Sequence, residues 1–523
     1  MAFSGAFLLW AAFPPLDLWP LAWVAPIPWV LLIRRKELSG RRPYAVLTLA
    51  GFCFWMAVLH FLRLPHPATS IGWVALSFYF AFYLPVFVGL SRVAVHRLRI
   101  PVILAAPMIW TGLELARSHL LTGMSMASLG HTQYRWIELI QLSDLAGAYG
   151  VSFVMMFVAA SLVRMLPFDG SRWAFWPLIP TVVVLAAAVF YGQVRIDANF
   201  GRPGPRIALI QGSIDVEMRY DPSMKERIFK EYYGLSKETV EKDRNLDLIV
   251  WPETMFLDSL VAFDADAMRP REFEGTDAEF RDWLPKIAQR NLSLMAQTAQ
   301  SLDVSLLLGI DTNHFSPEGV RCLNSAAYVA RDGQLLGRYD KMHLVMFGEY
   351  VPFAEQLPWL QQLTPLPVSA MPGKSPVAFD LGGVRIAPNI CYESVLSHVI
   401  RHQINVLAAD GKEPDILVNL TNDGWFWGSS ELDLHLVCAV FRAVECRKPF
   451  LIAANTGFSA WIDGNGRILD QGPRRAQGVI VAEPQLDQRR SWYLAHGDWF
   501  AGACLAVCVL CGFVGIWAWF RNP

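Results

Sequence analysis

The sequence predicts a polytopic α-helical membrane protein of about eight spans, with one α/β sandwich domain inserted before the last span. Three observations predict it. The 523 residues are 54% hydrophobic and 17% charged, with a mean hydropathy of +0.31, whereas a soluble domain is about a quarter charged. The apolar residues gather before about residue 200 and again after about 496, leaving a middle stretch of ordinary soluble composition. Within that stretch, short apolar runs alternate with amphipathic ones, the pattern of buried strands covered by helices.

A spanning helix needs about 20 largely apolar residues, and six candidates lie near 44–62, 71–91, 100–116, 147–166, 173–193 and 499–520. Residues 3–33 form a longer apolar run, broken by Pro14-Pro15 and Asp17. At about 1.5 Å per residue an unbroken helix there would overshoot a bilayer, so two short spans joined by a turn are expected. No basic stretch precedes that run and no small-residue cleavage site follows it, so a cleaved signal peptide fits poorly. The expected division is 1–193 for a transmembrane domain of about seven helices, 205–490 for the inserted domain and 496–520 for the last span.

Orientation follows from the short loops. One set carries Arg34, Arg35, Lys36, Arg41, Arg42, Arg92, Arg97, Arg99, Arg164, Arg172 and Arg521, and the opposite set only Arg63, Arg117 and Arg135. Positive residues collect on the cytoplasmic side, which puts residues 194–498 on the outer face, the periplasm of a double-membraned bacterium, and the chain in its inner membrane. A formal net charge of -1 gives no basic field for nucleic acid. Of the eight cysteines, Cys53, Cys504, Cys508 and Cys511 lie in apolar segments, and the rest show neither paired metal spacing nor a disulfide framework. No metal and no cofactor are expected, and the helical spacing of Cys504, Cys508 and Cys511 reads as packing by small buried hydrophobes.

In the inserted domain the buried-strand candidates are RIALIQG (206–212), DLIVW (247–251), VSLLLGI (304–310), VRIAPNI (384–390), DILVNL (415–420) and FLIAAN (450–455). Helical patterns occupy 224–245 and 432–447. Three blocks follow strands, where α/β folds present ligand-facing residues: WPE (251–253), YDKMHLVMFGEYVPF (339–353) and NICYES (389–394). Each holds one reactive side chain, Glu253, Lys341 and Cys391. A thiol becomes a nucleophile when a base removes its proton and a cation favours the thiolate, and Glu253 and Lys341 are of the types for those roles. Taken singly, each has an ordinary reading as a buried thiol or a solvated charge.

Together, in the order Glu, Lys, Cys and in these contexts, the residues resemble the nitrilase superfamily. The resemblance extends through GRYDKMHLVMFGEYVPF, ICYES, LTNDGWF and RAVECRKPFLIAANTGFSAWIDGNG. With spans on both sides of the domain, the chain resembles its membrane-embedded branch, the apolipoprotein N-acyltransferases. That resemblance implies a nitrilase-like αββα sandwich. It implies Glu253 as general base, Lys341 as oxyanion stabiliser and Cys391 as acyl-accepting nucleophile, with Glu349, Tyr392 and Glu393 in supporting positions. It also implies transfer of a fatty acyl chain from a phospholipid, through a Cys thioester, to the α-amine of the diacylglyceryl-cysteine of an apolipoprotein.

Glu349 is expected to hold Lys341 through charge-assisted bonds or to orient the substrate amine, the ordinary reading being a loop carboxylate. The Tyr392 backbone N–H is expected at the oxyanion, with its ring packing, and Glu393 is expected to brace the turn. Trp425, Phe426 and Trp427 read as a lipid-facing flap or a cap on the sandwich, and Tyr220 stands where relatives carry an aromatic residue. LLTGMSMASLGHTQYRW (120–136) matches a membrane-side arm. Residues 257–292 exceed the family pattern, as a helical lid or, preferably, a surface decoration. Two other functions compete: a membrane-bound amidohydrolase, because the triad does not name the acceptor, and a non-catalytic transporter or sensor, against which the spans lack paired buried charges.

Overall fold

The computed structural model describes residues 1–167, 172–197, 201–219, 221–353, 356–357 and 370–521. Tyr220 lies outside them. Among the described residues four helices are long and apolar enough to cross a membrane: Thr69–His96, Ala148–Met165, Leu178–Ile196 and Trp499–Arg521. Ala2–Ala12, Trp19–Arg34 and Pro43–Val58 are shorter apolar helices. The first apolar run therefore does break, its first helix ending at Ala12 just before Pro14 and Pro15, which carry no N–H to continue it. The predicted 71–91 helix divides into Thr69–Ala81 and Tyr83–His96.

Helix Val102–His119 carries Glu114 and Arg117, both buried. They hold the arm that follows. Glu114 Oε1 accepts from the Leu129 N–H at 2.8 Å, while Arg117 donates to Met126 O at 2.7 Å and Ser128 Oγ at 3.0 Å. Both buried charges thus face protein partners. The last helix packs on this one at Gly112, where a Cβ would stand 2.6 Å from Cys508 Sγ. Cys504, Cys508 and Cys511 are buried, as small hydrophobes are.

The inserted domain is a two-sheet sandwich. Its strands are β1 (Ile207–Gln211), β2 (Leu248–Phe263), β3 (Ser305–Ser316), β4 (Gly319–Val329), β5 (Leu335–Asp340), β6 (Phe379–Leu381), β7 (Val384–Ile390), β8 (Ile416–Thr421), β9 (Phe450–Ala454), β10 (Ala460–Ile462), β11 (Ile468–Gln471) and β12 (Gly478–Ala482). One sheet runs β12-β1-β2-β3-β4-β5 and the other β11-β10-β9-β8-β7-β6. The pairs β1 with β2, β2 with β3, β7 with β8 and β8 with β9 are parallel. Their residues are apolar without alternation because both faces are covered. Leu209, Val250, Ile390, Val418 and Leu451 fill the space between sheets. Outside the first sheet, Ile228 and Tyr232 of helix Lys225–Lys242 and Met295 and Ala299 of helix Asp277–Leu302 pack on Ile249 and Leu306. Outside the second lie helices Ser397–Ala409 and Glu431–Cys446, whose apolar cluster continues into the membrane helices.

The 257–292 segment is neither a lid nor a loose decoration. The predicted 247–251 strand continues to Phe263, paired with β3 beyond two register shifts, and a capping box at Thr276 and Glu279 starts the long helix. Phe280 and Leu284 then pack on Phe315. The run FLDSLVAF is rich in β-formers, and the strand follows it.

Helix Glu431–Cys446 is buried over all but Asp433, because it lies between the second sheet and the membrane part. Glu445 Oε1 accepts from the Ala148 N–H at 3.0 Å, and His131 packs on Phe441 with centroids 4.8 Å apart. Arg202–Pro203 pairs with Gln485–Leu486, so the two ends of the domain meet side by side.

Candidate active site

The three reactive side chains predicted from separate blocks come together where the two sheets end. Glu253 lies in β2 at its first register shift, just before Thr254 with φ +55°. Lys341 follows β5, and its N–H donates to Asn324 O at 2.8 Å. Cys391 is the first residue beyond β7 and has φ +50°, a left-handed conformation that residues with a Cβ rarely adopt and that concentrates at functional turns.

Lys341 is fully buried, and its Nζ lies 2.8 Å from Glu349 Oε1 and 3.5 Å from Glu253 Oε1. Glu349 Oε2 accepts from the Val345 N–H at 2.8 Å, so this loop carboxylate positions the lysine. Glu253 accepts from Asn324 Nδ2 at 2.7 Å on one oxygen and from the Asn422 N–H at 2.9 Å on the other. Desolvation raises the Glu253 pKa above the usual carboxylate range, with Lys341 opposing it and Glu349 adding to it. Burial works against the Lys341 ammonium, but Glu349, Glu253 and Cys391 outweigh it and hold its pKa above the ordinary lysine value. The Cys391 thiol is pushed well up, first by burial and then by Glu253, with Lys341 opposing. Burial and the Glu253 carboxylate thus disfavour the thiolate, while the carboxylates favour the ammonium. Such an arrangement can move a proton off sulfur as the sulfur attacks, and can receive negative charge at the ammonium.

Glu393 is buried and saturated. It accepts from Tyr339 Oη at 2.7 and 2.8 Å, and from the N–H groups of Met342 at 2.8 Å, His343 at 3.0 Å and Ile390 at 2.7 Å. It ties the lysine segment to the cysteine turn. Tyr392 Oη donates to Gly123 O at 2.7 Å, joining the cysteine turn to the 120–136 arm. The Phe426 ring meets Phe61 of the membrane part edge-on at 5.4 Å, and Trp425 is partly buried. Trp427 is half-exposed under the Arg475 guanidinium, 5.3 Å from its ring.

Several site residues were missed from sequence. Asn324 and Asn422 fix the Glu253 carboxylate from 71 and 169 residues away. Beneath the cysteine turn, Thr421 Oγ1 donates to Asp423 Oδ1 at 2.7 Å, His435 Nδ1 lies 3.2 Å from the same oxygen, and His435 Nε2 lies 2.7 Å from Ser394 Oγ. Only the LTNDGWF block hinted at them. Asp423, Glu431 and His435 each bring a potential ligand atom within 4.8 Å of the others, but both His435 nitrogens already have protein partners, and Thr421, Asp423, His435 and Ser394 form a hydrogen-bond relay.

Residues 5–161 match the family model described as apolipoprotein N-acyltransferase N-terminal domain, and residues 206–494 match that described as carbon-nitrogen hydrolase. The apolipoprotein N-acyltransferase of Rhodopirellula baltica is 31% identical over 557 residues, covering 98% of this chain and 96% of that one. The enzyme of the same name from Geobacter metallireducens is 34% identical over 522 residues, covering 97% and 93%. Saccharomyces cerevisiae Nit3, described as a member of branch 10 of the nitrilase superfamily, superposes with a TM-score of 0.38 at 16% identity, covering 57% of this chain and 97% of that one. With both halves matched and relatives above 30% identity over nearly the full length, the chain belongs to the apolipoprotein N-acyltransferase family.

Proposed function

We propose that the protein transfers a fatty acyl chain from a membrane phospholipid to the α-amine of the diacylglyceryl-cysteine of an apolipoprotein, by way of a thioester on Cys391. The observation that carries this is the Lys341 side chain held between Glu349 and Glu253 beside the Cys391 turn. In the first half-reaction Cys391 Sγ attacks the ester carbonyl while Glu253 takes the thiol proton. Lys341 Nζ and the Tyr392 N–H bear on the oxyanion. The C–O bond then breaks, and the departing lysophospholipid oxygen takes the proton from Glu253. In the second, the amine attacks the thioester, Glu253 accepts a proton from nitrogen, and the C–S bond breaks as that proton returns to sulfur.

Both substrates are anchored in lipid, and tethering the active domain to membrane helices raises their effective concentration. The division into 1–193, 205–490 and 496–520, the inner membrane and a periplasmic active domain belong to this reading, and the Lys and Arg asymmetry supports the orientation. A phosphatase reporter fused within 205–490 that is active only in the cytoplasm would overturn it. Trp425, Phe426 and Trp427 are read as contacts for lipid.

Mass spectrometry of protein taken from lipid should find a fatty acyl adduct on Cys391 that Cys391→Ala loses while remaining folded in the membrane. Acyl labelling that persists in Cys391→Ala would put the nucleophile elsewhere. Free fatty acid as the sole product in the presence of an acceptor lipopeptide would make the protein an amidohydrolase-type enzyme instead.

A further inference from the structure

The turn that carries Cys391 is gripped from beneath by side chains that the acyl-transfer steps leave unassigned. Cys391 O accepts from Ser394 Oγ at 3.0 Å and from Asn419 Nδ2 at 3.1 Å. That carbonyl belongs to the same planar peptide unit as the Tyr392 N–H, so whatever grips the oxygen also fixes the direction of the N–H. His435, on helix Glu431–Cys446, stands behind Ser394 with its Nε2 2.7 Å from Ser394 Oγ and its Nδ1 3.2 Å from Asp423 Oδ1. Ser394, His435 and Asp423 are all buried.

The hydrogens available in this relay decide the state of the imidazole. Asp423 Oδ1 already accepts from Thr421 Oγ1 at 2.7 Å, so at Nδ1 the hydrogen comes from the ring. Ser394 has a single hydroxyl hydrogen and gives it to Cys391 O. Its oxygen therefore meets Nε2 as an acceptor, and the ring supplies the hydrogen there too. Nε2 also bears on the Cys391 carbonyl, which can only accept. With an N–H on both nitrogens, His435 is an imidazolium paired with Asp423. Burial opposes that charge, but Asp423, the Cys391 carbonyl and Glu253 outweigh it and hold the His435 pKa above the ordinary histidine value. Asp423 is itself seated against Gly457, where a Cβ would fall 2.1 Å from Oδ2, so the carboxylate fits only because that position has no side chain.

We propose that the His435 imidazolium, held by Asp423, is a positioning residue for the oxyanion donor: it commits the Ser394 hydroxyl to the Cys391 carbonyl, and so aims and strengthens the Tyr392 N–H. Hydrogen bonds in a chain polarise one another, and a peptide whose carbonyl is gripped becomes a better N–H donor. This role rests on the acyl transfer proposed above, in which that N–H receives the oxyanion. An interaction that acts on the oxyanion is made in the transition state, so the effect of His435 belongs to the maximal rate and not to donor affinity.

The test uses the full chain in detergent micelles and compares two reagents at Cys391. Dioleoylphosphatidylglycerol acylates the thiol through an oxyanion, whereas iodoacetamide alkylates it by direct displacement of iodide, with no oxyanion to stabilise. Asp423→Asn combined with His435→Leu removes both charges together and leaves neither buried alone. Its maximal rate of labelling by phospholipid should fall on the order of 10-fold, less than the outright loss of an oxyanion donor, with the KM kept. Alkylation by iodoacetamide should not slow, and the retained KM reports an intact fold. Asp423→Asn combined with His435→Gln, whose amide N–H can still meet Ser394, should recover part of the rate. An unchanged acylation rate overturns the role, because the oxyanion donor would then be independent of His435. An equal loss with both reagents overturns it too, by making the pair a support of the thiol itself, and so does a loss confined to the KM. Failure of phospholipid to label a wild type that iodoacetamide modifies would sink the acyl-transfer reading itself, a result separate from all of these.

Discussion

At the seam between the membrane helices and the sandwich, Asp144 accepts from Arg447 Nε at 2.9 Å and Nη2 at 2.6 Å, from Arg195 Nε at 2.7 Å and from Tyr191 Oη at 2.6 Å. At the candidate active site, Glu253 accepts from two neutral groups, and its nearest cation stands 3.5 Å away and closer to Glu349. Both carboxylates are buried beside cations. The seam saturates its acid with fixed donors, which leaves it nothing to do but hold. The site leaves its acid short of full neutralisation, and desolvation lifts its pKa, so a proton can come and go. The two clusters should therefore break differently, the seam in stability and the site in rate.

The largest effect is expected at Glu253. Glu253→Gln keeps the shape and removes the base, so labelling of Cys391 by phospholipid and its discharge to an acceptor lipopeptide should both slow by about 100- to 10,000-fold. Only the ionised carboxylate accepts a proton, so the wild-type labelling rate should fall as pH drops through a Glu253 pKa above the ordinary range. The glutamine variant should lose that acid limb. Single-turnover labelling across pH measures both, and normal rates would make Glu253 a structural carboxylate.

Lys341→Met comes next, at about 100- to 1,000-fold in rate, the usual cost of one oxyanion donor. Near-normal turnover would remove Lys341 from the chemistry. Lys341→Met also leaves the buried Glu349 and Glu253 without their cation, so its rate is read per folded molecule, and what separates it from the seam is a rate loss that the seam does not share. There, Arg447→Met should cost about 3–5 kcal/mol of stability, because it leaves a buried carboxylate short of its main partner. Labelling per folded molecule should hardly change. Denaturant unfolding in detergent reads the first quantity and active-site titration the second, and a rate loss without a stability loss would erase the distinction between the clusters.

What could be read from the sequence was local. Glu253 and Cys391 stood out because each follows an apolar β-run, and those runs became β2 and β7, whereas Lys341 stood out by its YDKMHLVMFGEYVPF block and the strand before it, β5, was not among the candidates. Glu349 was visible as a carboxylate eight residues from the lysine it meets. What could not be read joins distant segments: Asn422 to Glu253 across 169 residues, Tyr392 to Gly123 across 269 and Arg447 to Asp144 across 303. No periodicity encodes such pairs, because tertiary packing alone brings them together. The length of β2 was missed because the strand continues past the bulge that presents Glu253, and the eye stops at the Pro252-Glu253 turn signal. Apolar runs marked the four helices long enough to cross a membrane, yet hydropathy does not report where a helix breaks inside a run, as before Pro14.

The smallest effect tests the apolar part of the seam, where it touches the site. Phe426 follows the relay residue Asp423 in the same turn, and its ring meets Phe61 edge-on, with planes 85° apart. An aromatic pair of this geometry is worth about 0.5–1.5 kcal/mol beyond the area it buries. Single Phe61→Leu and Phe426→Leu changes keep most of that area, so a double-mutant cycle isolates the ring contact. The expected coupling is about 1 kcal/mol in unfolding free energy, with labelling of Cys391 by a soluble aryl ester unchanged. Coupling near zero would mean that the 425–427 loop is not seated on the membrane part, and that buried charge alone joins the two halves. A coupling that appears only in the phospholipid KM would instead make the ring pair part of the lipid path, active while donor is bound and silent in the free enzyme.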